Sequence, residues 1–161
     1  MVQVQVQVQS ARCMVQVQVH GAGASRHAGC SAVFEMAKRY DELEAWQLAN
    51  ELKLGVYELI DSTPARNDFE FRDQLRDSAS SAPANISEGF GYFRHKEFAQ
   101  RVRTARAEEL ETHNHLRDGV DRHYWSAGQA QPLMRLAERA SAAAGGLIRY
   151  LMTTDTPSFW E

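Results

Sequence analysis

From Tyr40 to Leu151 apolar residues return at every third or fourth position, the period of an α-helix and not of a strand. The first run carries Ala45, Leu48, Ala49, Leu52, Val56, Leu59 and Ile60, and the second Leu75, Ala79, Ala82, Ile86 and Phe90. The third carries Phe98, Val102, Ala105, Glu109, Thr112, Leu116 and Val120, and the fourth Leu133, Ala137, Ala140, Ala144, Leu147 and Leu151. "STPARND" (62–68) separates the first two, and "RHYWSAGQ" (122–129) the last two. Four helical runs with short connections predict an all-α chain, an antiparallel up-down-up-down four-helix bundle over residues 34–155 with a tail at 156–161. Asp41, with Glu44 three residues on, is the expected N-cap of the first helix. The second register passes straight through Pro83, so that helix is expected to bend there, not to end. Gly145-Gly146 weakens the fourth by about 1 kcal/mol per glycine, which close approach of a neighbouring helix would offset.

Residues 1–33 do not share this pattern. "MVQVQV" occurs at Met1 and again at Met14, and strict Val/Gln alternation has the period of a strand. A lone strand of this kind has no partner in a helical protein. The segment is read as a low-complexity extension, disordered or translated upstream of the true start, with Met36 opening a natural-looking beginning. Both cysteines, Cys13 and Cys30, fall inside it, so the bundle itself is cysteine-free, as in a reducing compartment. No apolar run approaches the roughly 20 residues that span a bilayer. No basic and apolar leader precedes the bundle. A cytoplasmic protein without a membrane partner is expected.

"SSAPANISEGFG" (80–91) is the least helix-like part of a helical run. A proline in a helix interior costs about 3 kcal/mol, because it cannot donate to the carbonyl four residues back and its ring crowds that carbonyl. Ser78, Ser80, Ser81 and Asn85 surround Pro83 and can bond to nearby backbone. The small residues from Ser78 to Ala84 would let another backbone come close. Asn85 and Glu88, one turn apart, could then bond across to a facing helix, with Arg76 or Arg106 as counter-charge. A ligand or catalytic site on Asn85 and Glu88 is the sharper alternative to this architectural role.

Signals for chemistry are few. A di-iron bundle needs Glu-x-x-His on two helices, and the chain contains none. Glu109 with His113, and Glu111 with His115, stand at i,i+4, but Glu109 falls on the core seam while His113 points outward, so no metal site is expected. There is no nucleophile elbow, phosphate-cradling glycine loop or Cys/His cluster. The chain is therefore read as no enzyme, without cofactor or small-molecule substrate.

Binding signals are stronger. Residues 34–161 hold sixteen Lys and Arg against twenty-one Asp and Glu, a net charge of −5, which argues against strong non-specific nucleic-acid binding. Locally the third helix differs: Lys96, Arg103, Arg106, His113 and Arg117 share one face, turned away from the Phe98–Val102–Ala105 seam. That stripe is either a phosphate-binding surface or a solvated face balanced by neighbours such as Glu97 and Glu111. Aromatic and large apolar residues also exceed what one small core buries: Leu43, Trp46, Tyr57, Phe90, Tyr92, Phe93, Tyr124 and Trp125. Such residues are enriched in interface cores. Trp46, Tyr57, Phe90 and Tyr92 are the candidate contacts between copies or with a partner protein.

"YDELEAWQLANEL", "FRDQLRDSASSAPANISEGFG", "HKEFAQRV" and "ELETHNHLRDGVDRHY" together resemble the four-helix-bundle family of bacterial 23S rRNA intervening-sequence proteins. The same superfamily holds the accessory variability determinant of diversity-generating retroelements. The resemblance spans roughly residues 38 to 152, and its most specific piece is "SSAPANISEG", close to the family's S-x-P-A-N-I-A-E-G. It implies an antiparallel bundle that assembles into a homo-oligomeric ring, usually a pentamer, without catalytic activity. It also implies association with structured RNA or a ribonucleoprotein; the retroelement member is a basic adapter for a reverse transcriptase and RNA. Ser81, Pro83, Asn85 and Glu88 become signature positions of architecture. Glu108 stands where the family tends to have a small serine, and Asp77 replaces a basic residue, so this chain is the more acidic. The expected function is RNA or ribonucleoprotein binding through Lys96, Arg103, Arg106, His113 and Arg117; a protein–protein adapter is the alternative.

Overall fold

The computed structural model of the chain describes residues 37–92 and 94–154. The extension at 1–33, the tail at 156–161 and Phe93 lie outside them. Four helices make up the described part: α1 (Glu44–Asp61), α2 (Phe69–Phe90), α3 (His95–Asp121) and α4 (Ala127–Thr153). Short 3₁₀ turns at Tyr40–Glu42 and Pro64–Asn67 precede α1 and α2. Each helix packs against two others, α1 on α2 and α4, and α3 on α2 and α4. Asp68 meets Tyr124, Ser78 meets Thr112 and a methyl on Gly89 would meet Phe98, so α2 and α3 run in opposite directions.

The periodicity translates directly into burial. All seven apolar positions of the α1 run are buried, and no other residue of α1 is. α2 continues unbroken through a buried Pro83, with Leu75, Ala79, Ala82 and Ile86 inside. Phe90, Val120, Leu133 and Leu147 are half-buried at the margins of the core. One group of buried side chains centres on Leu52, Ile60, Phe71, Leu75, Leu116 and Trp125. A second centres on Ala49, Ile86, Phe98, Val102 and Leu151. Where the two groups meet, the buried residues include Ser78, Glu109, Thr112 and Ser141. The bundle thus has a polar waist between two apolar halves.

The helix ends show local chemistry. Asp41 does not cap α1, whose N-cap is Leu43. The Asp41 carboxylate is held by Arg39, at 2.9 Å from Nε and 2.7 Å from Nη2, and its backbone has closed into the 3₁₀ turn. α2 is capped by Asp68, which accepts from the Phe71 amide at 3.2 Å. α4 begins with a full capping box in which Ser126 and Gln129 serve each other's backbone amides.

α3 ends in the paired bonds of a Schellman motif. The Tyr124 amide reaches the Gly119 carbonyl at 2.9 Å and the His123 amide reaches Val120 at 3.0 Å. This requires His123 to sit at φ 60°, the left-handed region that favours glycine. The turn drops Trp125, 4% exposed, onto Gly119, and its indole Nε1 donates to the Leu116 carbonyl at 2.9 Å. Phe71 packs on both Tyr124 and Trp125. Tyr124 and Trp125 therefore belong to the bundle's own core, not to a surplus for partners.

Two stability measurements check this reading. His123→Gly is expected to raise unfolding free energy by about 0.5–1 kcal/mol in urea titrations. Gly119→Ala, which puts a methyl inside the indole, is expected to lower it by about 1–3 kcal/mol.

Candidate nucleic-acid interface

The signature stretch joins α2 to α3. Around Pro83, the Asn85 side-chain amide donates to the Ser81 carbonyl at 2.9 Å and to Ser81 Oγ at 3.1 Å, closing a local bracket within α2. One turn on, Glu88 accepts from the Tyr92 hydroxyl at 2.9 Å and pairs with Arg101 at 2.6 Å. At Gly89 a methyl would come within 2.5 Å of Phe98 and 2.8 Å of Arg101 Cβ, so only glycine admits α3 at this distance. The counter-charge for Glu88 is thus Arg101, and the expected Arg76 and Arg106 serve elsewhere. Arg76 pairs with Asp61 and lies over Tyr57, while Arg106 Nε donates to Ser141 Oγ at 3.3 Å. Asn85 spends its side-chain amide within its own helix.

On the outer side of α3, Lys96, Arg103, Arg106 and Arg117 are all exposed. None of the four forms a salt bridge among the described residues. Arg103 finds only the neutral Gln100 at 3.4 Å. Of the acids on α3, Glu97 lies 3.8 Å from Arg94 and Glu111 lies 3.5 Å from the His115 imidazole, while exposed Asp121, one turn beyond Arg117, forms no ion pair among the described residues. His113 is half-buried and lies 3.6 Å from Glu138 of α4, so it is drawn to the edge of the stripe. Leu110, 54% exposed, stands among these cations.

The aromatic candidates separate. Phe90 meets Phe98 edge to face and belongs to the second core group. Tyr92 is engaged with Glu88 and Arg101. Trp46 and Tyr57 lie on the α1–α2 side, where with Tyr40, Lys53, Pro83 and Ala84 they line a shallow cleft of about 280 Å³.

Glu109 is the most unusual residue beneath the stripe. It is 0% exposed, and neither carboxyl oxygen has a hydrogen-bond partner among the described residues. Burial pushes its pKa up from 4.5 to about 8, against a smaller opposing pull from the Arg106 charge. Glu108 is also raised, chiefly by burial and then by Glu111. Periodicity placed Glu109 in the core seam, but its lack of a partner depends on neighbouring helices that no local pattern reports. Among the described residues no group of three or more His, Cys, Asp or Glu could hold a metal ion, and no helix is long and apolar enough to cross a membrane.

Residues 41–146 match the 23S rRNA-intervening sequence protein family. The solved structure of a protein of unknown function from the S23 ribosomal protein family of Bacteroides thetaiotaomicron has the same fold. It aligns with a TM-score of 0.59 at 17% identity, covering 65% of this chain and 98% of that one. No curated protein matches the chain.

The buried carboxyl has a measurable signature. Between pH 4.5 and about 8 the folded chain holds a proton on Glu109 that the unfolded chain has released. Stability therefore falls with rising pH through that window, by up to about 1.4 kcal/mol per pH unit, and levels off above it. Glu109→Gln is expected to flatten that component and to gain most over wild type near pH 8. Urea midpoints of the two chains from pH 5 to 9 check it; parallel curves would exclude a neutral buried Glu109.

Proposed function

The chain belongs to the 23S rRNA-intervening sequence protein family, and on that footing we propose that it is a non-enzymatic, oligomeric cytoplasmic protein that binds structured RNA or a ribonucleoprotein through the outer face of α3. One observation carries the reading: Lys96, Arg103, Arg106 and Arg117 are exposed on a single face and lack carboxylate partners among the described residues. Cations left unpaired in an acidic chain are available for phosphates. In a ring, for which the family resemblance suggests five copies, each face would repeat and the fields would add.

A second reading, a protein adapter, draws on the α1–α2 cleft lined by Trp46, Tyr57 and Pro83. The two readings use opposite sides of the bundle, which makes them separable.

The deciding experiment titrates a labelled structured RNA with the full chain at low and at roughly physiological salt. Micromolar or tighter binding is expected, weakening steeply as each released phosphate contact contributes about −0.9 to the log–log slope on duplex. Arg103→Glu with Arg117→Glu should weaken binding tenfold or more while sedimentation shows the assembly unchanged. Absence of binding at low salt would sink the RNA reading, and loss of a partner complex with Trp46→Ala would then favour the adapter.

A further inference from the structure

The space beside Gly145 and Gly146 is bordered by two guanidiniums and not by a neighbouring backbone. A Cβ on Gly145 would lie 3.8 Å from Arg149 Nη1 and 3.9 Å from Arg106 Cζ, and one on Gly146 would lie 3.9 Å from Arg149 Nη2. Arg149 is one turn beyond Gly145, and helical side chains lean toward the N-terminus, so its fork lies back over both glycines. Arg106 reaches the same place from α3, steadied by its bond to Ser141. Neither arginine forms a salt bridge among the described residues. Arg106 lies near buried Glu109, whose carboxyl burial pushes up to about 8.

Two like charges converging on bare helix backbone repel each other unless an anion lies between them. The geometry points to an anion-binding notch at Gly145–Gly146, in which Arg106 and Arg149 together hold one phosphate group. Planar guanidinium forks suit phosphate oxygens, and two forks from different helices can grip one group from two sides. Side chains at 145 and 146 would fill the notch, which gives the two helix-weakening glycines a purpose. Arg149 thereby extends the α3 stripe across to α4. The source of the phosphate rests on the RNA reading: in RNA it is a backbone phosphodiester, whereas inorganic phosphate offers the same chemistry free.

The test has two arms on the full chain. In the first, thermal unfolding is followed with inorganic phosphate against chloride at equal ionic strength, for wild type, Arg149→Gln and the control Arg135→Gln, an exposed arginine of α4 remote from the glycines. Phosphate is expected to raise the midpoint of wild type and of Arg135→Gln. Arg149→Gln should need about tenfold more phosphate for the same rise. No phosphate-specific rise in wild type, or an equal rise in Arg149→Gln, overturns the notch. The second arm repeats the RNA titration with Arg149→Gln. Weaker binding with a salt slope reduced by about one assigns the notch to an RNA phosphate. A positive first arm without any RNA binding keeps the notch as a free-phosphate site and removes the RNA reading alone.

Discussion

Close contact between helices is the condition on which everything else here depends. Among the described residues, eleven of the twenty-five buried hydrophobic side chains are alanine, and they recur on all four helices. Small side chains at a helix contact let the axes approach. At that spacing a glycine becomes obligatory wherever a large neighbour arrives, as at Gly89 beneath Phe98 and Gly119 beneath Trp125. It also brings short polar side chains within reach of one another, so a threonine on α3 can meet a serine on α2, and an arginine on α3 a serine on α4.

Those polar links answer a weakness of an alanine seam. Alanine faces are nearly featureless, and sliding one helix past another by a turn would lose little apolar contact. The buried Ser78–Thr112 bond penalises such a slip, because it would leave a desolvated hydroxyl without its partner, and the Glu88–Arg101 pair adds a contact that only the native register makes. Pro83 sits among them, in the part of α2 where small residues are most concentrated. The signature stretch is therefore best understood as a device that fixes how α2 docks on α3, with Asn85 occupied inside its own helix. Glu109 is the exception at the waist, a carboxyl held neutral by burial alone.

How much of this was legible follows from what each feature depends on. The α1 seam and the passage of α2 through Pro83 depend only on period, and both stand in the sequence. The α1 cap went the other way because Asp41 has a competitor, Arg39, two residues before it, which a capping pattern does not weigh. Tyr124 and Trp125 read as surplus aromatics because their burial requires the left-handed turn at His123, a residue type that gives little warning of it. The cations of α3 were visible as a face; that Glu97 turns to Arg94 was not, since i,i+3 and i,i+4 rules allow several pairings. Arg149 was missed altogether, because its meeting with Arg106 joins two helices far apart in sequence.

An acidic chain can still present a basic face, because the charges are segregated. Part of the acid near α3 is matched: Glu88 by Arg101 and Asp118 by Arg122. The exposed acids without ion pairs among the described residues include Glu51 and Glu58 on α1, Glu70 and Asp77 on α2, and Asp121 at the far end of α3. α1 packs on α2 and α4, so it lies diagonally across the bundle from α3. A helix with its side chains is about 10 Å across, and at physiological salt the screening length is about 8 Å. A polyanion at the α3–α4 edge therefore feels Arg103, Arg106, Arg117 and Arg149 at close range and Glu51 and Glu58 of α1 only weakly, whereas Glu44 of α1 lines the hollow beside Gly146. The net charge of −5 over residues 34–161 sets how the chain repels polyanions at a distance; the arrangement of its unpaired arginines sets which side they can settle on.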